Sequence, residues 1–111
     1  MLDDHDRLEL FHRKKELRKA LTTKEKGQLT TLWSYSTNKA LRYDPNYQLS
    51  VDEEVDLYEM YVTLIIIRRE YTQDTSDYPY LTCIKPLRDG GRWCADNTQI
   101  LTRSEKLARG I

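Results

Sequence analysis

His5, Glu9 and His12 fall at i, i+4 and i+7, on one face of any helix drawn through them. Glu9-x-x-His12 is the spacing at which a helix offers a carboxylate and an imidazole to a carboxylate-bridged di-iron site. Such a site needs a second pair of the same kind, and the chain holds only 2 histidines. One helix rarely closes a coordination sphere, so a solvated polar face is expected and no metal ligand is assigned. Cys83 and Cys94 are the candidate nucleophiles. An active thiol needs a nearby base and an electropositive setting. Arg88 and Arg92 offer the field, but both histidines lie far upstream. The single glycine pair, Gly90-Gly91, makes no phosphate-cradling loop. No catalytic residue and no cofactor is expected, and two free thiols are.

Binding is better served by these residue types. Lys85, Arg88 and Arg92 surround the Asp89-Gly90-Gly91 turn beside Trp93, an arrangement that can track phosphates or show a protein a cation and an aromatic face. The alternative is a solubilised turn whose Trp93 fills core. Arg13, Lys14, Lys15, Arg18 and Lys19 make a second basic patch. These nine residues are the expected partner-binding set. The chain also holds 8 Tyr and 2 Trp against 1 Phe. Rings with a polar tip suit places where one end is buried and the other wet, and Tyr43, Tyr47, Tyr78 and Tyr80 fall in or beside loops.

Charge is zoned although it sums to zero, with 18 Lys and Arg against 18 Asp and Glu. The Arg7–Arg42 stretch is mainly basic, Asp44–Asp77 mainly acidic, and Lys85–Arg109 mainly basic again. Such blocks select partners and orientation and say little about chemistry.

The elements that carry these groups follow from caps and periodicity. Asp3, Asp4 and Asp6 favour a helix start and Arg18 and Lys19 its end, giving a first helix over about 4–21 with a thin apolar stripe of Leu8, Leu10, Phe11, Leu17 and Leu21. Thr22 with Glu25 is a capping box opening a second helix, which should stop before Tyr43-Asp44-Pro45. These two are expected to form an αα-hairpin. Ser50 with Glu53 opens the principal helix, over about 51–71, where Val55, Tyr58, Val62 and Ile65 form one apolar stripe and Leu57, Tyr61, Leu64 and Ile67 another. After a polar loop over 72–79, a strand over 80–87, a turn at Arg88-Asp89-Gly90-Gly91 and a strand over 92–95 read as a β-hairpin, with a further strand near 98–101. Thr102 with Glu105 opens a short last helix that Gly110 would end.

The expected fold is therefore α+β and mainly helical, a three-helix core followed by a β-hairpin and a short C-terminal helix, in one domain over 1–111. At 111 residues and 39% hydrophobic the chain can bury a single core without disulfides. It opens Met1-Leu2-Asp3-Asp4, acidic where a secretory leader is basic and then apolar, so a cytoplasmic site is expected. Met60–Ile67 is its longest uncharged apolar run, too short to span a bilayer.

Three helices followed by a hairpin with a basic tip resembles the chain order of winged-helix DNA-binding domains. In that fold the third helix enters the major groove, and here it begins Asp52-Glu53-Glu54-Val55-Asp56, which phosphates repel. The resemblance thus implies nonspecific holding of nucleic acid by the first helix and the hairpin. The preferred expectation is a small non-enzymatic regulatory protein, of the kind phages and mobile elements carry, that acts by binding a protein or protein–nucleic acid complex, with inhibition or regulation as the outcome. A nucleic-acid-binding module is the second.

Overall fold

In the computed structural model, which describes residues 2–73 and 77–108, each long helix starts at a capping box. Helix α1 spans Asp4–Arg18, α2 Thr23–Tyr43 and α3 Val51–Arg68. Thr22 and Ser50 accept from the amides of Glu25 and Glu53, whose carboxylates reach back to the cap amides at 2.9 and 3.0 Å. Both α1 and α3 end three residues before the expected boundary. Their last turns tighten into i to i+3 bonds, such as Leu21 N–H to Arg18 C=O and Tyr71 N–H to Arg68 C=O. Helix α2 runs one residue longer than expected. Pro45 restricts only Asp44, which takes the extended cap conformation at φ −141°, and so Tyr43 stays helical.

Helix α3 is the central element. Val55, Leu57, Tyr58, Tyr61, Val62, Leu64 and Ile65 are buried, so both of its apolar stripes are used. Helices α1 and α2 follow one another across a short turn, and each takes α3 as its main packing partner. Leu29 and Ala40 of α2, with Leu21 and Leu49 from the turns, complete that core. Tyr61 meets Trp33 and Trp93 edge-on, with ring centroids 5.6 and 6.3 Å apart. Of the expected α1 stripe, Leu10 and Leu21 are buried while Leu8 and Phe11 stand exposed.

The hairpin differs from expectation in its second strand and its loop. Strand β1, Pro79–Cys83, pairs antiparallel with β2, Thr98–Thr102, so that Cys83 lies opposite Thr98. The second strand is the one expected near 98–101, and no strand forms over 92–95. Asp89-Gly90-Gly91 does make a tight turn, with Gly90 at φ 88° and Gly91 N–H bonded to Pro86 C=O. It closes a 3-10 turn, Leu87–Asp89, within a long connection instead of a strand pair. A Cβ on Gly91 would stand 1.9 Å from the Lys85 carbonyl oxygen, so only glycine fits. Residues 92–95 are withdrawn from any ladder because Trp93 turns into the core and Arg92 toward α3. The Asn97 side chain clasps the connection, accepting from Lys85 N–H and donating to the Lys85 and Arg92 carbonyls.

Helix α4, Arg103–Ala108, starts at the expected Thr102–Glu105 box. The Gly110 stop and the middle of the 72–79 loop lie outside the described residues. No helix among the described residues is long and apolar enough to cross a membrane.

Candidate functional site

Three of the nine expected residues pair with the acidic start of α3. Arg13 lies 2.8 Å from Asp52, Lys14 pairs with Glu54, and Arg92 pairs with Glu53 and donates to the Gln48 carbonyl. Lys14 also sits 4.5 Å from the Trp33 ring centroid and 5.0 Å from that of Tyr58. Arg18 donates to the Tyr58 hydroxyl at 3.1 Å, and Lys19 pairs with Glu16 one turn earlier. Arg92 holds the Glu53 carboxyl down to about 2, with help from the Ser50 amide. The same device recurs at the start of α2. There Arg69, from the end of α3, holds Glu25 down to about 2 with help from the Thr22 amide, and donates to Ala20 C=O. Each capping glutamate thus closes its own helix and ties it to a distant segment.

Trp93 is 8% exposed; its indole N–H donates to the Tyr61 hydroxyl at 3.1 Å and its carbonyl accepts from Tyr47. It is a core residue with only a small part of its surface exposed. Burial pushes the Tyr61 phenol up to about 12, partly offset by its hydrogen bonds. Of the nine expected residues, Lys15, Lys85 and Arg88 stand exposed with no ion pair among the described residues. His5, Glu9 and His12 lie exposed on α1, where Glu9 faces Arg13. Among the described residues no three His, Cys, Asp or Glu side chains gather to hold a metal ion.

A cleft of about 450 Å³ opens between α2 and β1. Tyr35, Ser36, Lys39 and Tyr43 come from α2, Leu81 to Ile84 from β1 and its end, and Arg88 and Lys106 close the rim. Trp93 forms part of its base. Tyr35 and Tyr43 are 65% and 54% exposed, values that leave both rings free for a ligand. Lys39, Arg88 and Lys106 have no carboxylate partner among the described residues, and no carboxylate lines the cleft. Thr82 is buried, and its hydroxyl finds no hydrogen-bond partner among the described residues. Leaving such a group unsatisfied costs about 1–3 kcal/mol. Cys83 and Cys94 are half-buried free thiols. Burial raises the Cys83 pKa against the opposing charge of Lys39, which leaves the thiol protonated and a poor nucleophile at neutral pH.

No known protein family, curated protein or solved structure matches this chain. Arg88 is the member of the expected set that lines the cleft beside Trp93; Lys39, Lys106, Tyr35, Tyr43 and Thr82 were not in that set. Tyr43 carried a signal, as a tyrosine at a helix end beside a loop. Lys39 and Lys106 carried none, because only the packing of α2 against the hairpin brings them near one another.

Proposed function

We propose that this chain is a small non-enzymatic binding protein that regulates a macromolecular complex, and that the α2–β1 cleft is its working surface. One contrast carries the reading. Arg13, Lys14 and Arg92 meet carboxylates at the start of α3, whereas Lys39, Arg88 and Lys106 at the cleft meet none among the described residues. Unpaired charge beside exposed aromatic rings supports an anionic partner entering there. Two half-buried free thiols suit a reducing compartment, and the cytoplasm is the proposed site of action.

The test is affinity capture from the protein's own cell extract, comparing wild type with a Lys39→Glu/Arg88→Glu variant and with Lys15→Glu. Loss of the captured partner only in the cleft variant supports the reading; equal capture by all three overturns it. A second reading, nucleic acid, is favoured by Tyr35 and Tyr43 standing exposed beside Lys39 and Arg88, since bases stack on such rings while cations follow phosphates. Nuclease treatment of the extract and a steep fall of affinity with salt identify that case.

A further inference from the structure

Resting on the cleft as the working surface, we propose that the outer edge of β1 takes an extended, acidic segment of a partner protein as a third strand. The ladder's own geometry fixes which backbone groups are free. Ile84 N–H donates to Asn97 C=O at 2.8 Å, and Arg103 N–H to Tyr78 C=O at 3.0 Å, each across the strand in the observed register. These are hydrogen-bonded pairs, so Tyr80 and Thr82, in the same phase, aim their backbone groups at β2. Pro79, Leu81 and Cys83 have the opposite phase and aim theirs outward. Pro79 has no N–H, and its carbonyl already accepts from Arg68 Nε at 2.9 Å. Leu81 and Cys83 each keep an outward N–H and C=O with no partner among the described residues.

That open edge faces the cleft. Side chains of a strand alternate between its faces, yet Leu81, Thr82, Cys83 and Ile84 all line the same cleft, which therefore runs along the edge. An incoming strand would bond Leu81 and Cys83 through its own residues i and i+2, the pattern of strand addition to a sheet edge. Pro79 at one end and the Ile84–Asn97 bond at the other limit the pairing to this short stretch. Charge selects the occupant. Lys39, Arg88 and Lys106 flank the edge without a carboxylate, so an acidic segment is favoured. A second copy of this chain, paired edge to edge, would bring the same cations together across a two-fold axis. A nucleic acid would use the cations and leave the Leu81 and Cys83 amides untouched.

The test uses the whole protein and blocked heptapeptides that alternate Glu with Val, Asp with Ile and Glu with Tyr. Amide hydrogen exchange is read by NMR at Leu81 and Cys83. In the free protein these amides should exchange much faster than that of Thr82; with at least one peptide at millimolar concentration they should slow by about tenfold or more. A Lys–Val peptide, and the bound peptide N-methylated at the residues that face β1, should give no protection. Cys83→Pro removes one outward donor at an edge position that tolerates proline, and should fold and lose the peptide. Should that variant fail to fold, the N-methylated peptide still decides. Shifts at Lys39, Arg88 and Lys106 without protection at Leu81 and Cys83 would sink the third strand and leave the binding cleft standing. No response to any peptide also overturns the strand, and binding of an oligothymidine instead moves the cleft to nucleic acid. A dimer in sedimentation, with the two amides protected in the absence of peptide, assigns the edge to a second copy and overturns the acidic segment.

Discussion

The seam at the start of α3 and the cleft beside β1 both hold basic side chains, and those side chains have opposite fates. At the seam Arg13, Lys14 and Arg92 converge on Asp52, Glu54 and Glu53 from two separate segments. At the cleft Lys39, Arg88 and Lys106 meet no carboxylate among the described residues. A basic block in a sequence is therefore not yet a surface. What distinguishes the two regions is whether folding supplies the counter-charge. The acidic stretch that begins α3 completes its capping box, complements the helix dipole and receives the basic residues of α1 and the connection. Three of the cations left without a carboxylate among the described residues line the cleft, the surface proposed to face a partner.

Trp93 joins the two regions, since Arg92 beside it belongs to the seam and its own ring forms part of the cleft base. The largest expected effect is therefore Trp93→Ala. It removes a buried ring in contact with Tyr61 and should cost about 3–5 kcal/mol, damaging seam and cleft together. Ile65→Ala, at the centre of α3, should cost about 2–5 kcal/mol by the same mechanism. Urea denaturation measures both. A Trp93→Ala protein with unchanged stability would make Trp93 a ligand-facing residue and dissolve the distinction between the regions.

Lys14→Glu probes the seam directly. The Lys14 and Glu54 side chains are 17% and 20% exposed, shielded enough that reversal should cost about 2–3 kcal/mol. Two carboxylates would then face each other beside Trp33 and Tyr58. Lys15→Glu, one residue along and exposed, should change stability by less than about 0.5 kcal/mol. Equal effects from the two would mean that the seam is no more than scattered surface charge.

Acid should open the seam. Glu53 is lowered from 4.5 to about 2, so the folded state binds its proton less readily than the unfolded chain. Its contribution is present in full above about pH 4.5 and is lost as pH falls toward 2. Glu25 follows the same course for the same reason. Denaturation midpoints measured from pH 5 to 2 should fall more steeply for wild type than for Glu53→Gln. Parallel curves would detach Arg92 from the stability of α3.

The helices were legible because their signals are local. Thr22 with Glu25 and Ser50 with Glu53 announce helix starts within four residues, and the two stripes of α3 announce a central helix. The hairpin was only half legible. Asp89-Gly90-Gly91 is a true turn, but nothing local tells a turn that joins two strands from one that caps a 3-10 segment. What moved the second strand to Thr98–Thr102 was the pull of Trp93 on the core and of Arg92 on Glu53, and both are long-range contacts. The cleft was least legible, since Lys39, Thr82 and Lys106 share no spacing and meet only through packing. The charge zones were visible from the start, and only the fold shows that the acidic one takes cations from both basic ones.

The smallest expected effect has an unusual sign. Lys39 and Arg88 line one cleft with Lys106, and each adds positive potential where no acid answers it. Removing one such charge relieves repulsion and breaks no ion pair. Lys39→Gln should therefore leave stability unchanged or raise it by a few tenths of a kcal/mol, within the roughly 0.5 kcal/mol range of exposed substitutions. Added salt should screen the same repulsion, so the gain should shrink as ionic strength rises past the point where the Debye length falls to about 8 Å. Urea denaturation of wild type and Lys39→Gln at low and physiological salt checks both statements. A loss of more than about 1 kcal/mol at either salt would place Lys39 among the structural cations of the seam. A neutral or favourable change, joined to loss of the partner, separates binding from folding at this position: the charge is held there at a small cost to the fold because something outside the chain supplies its counter-charge.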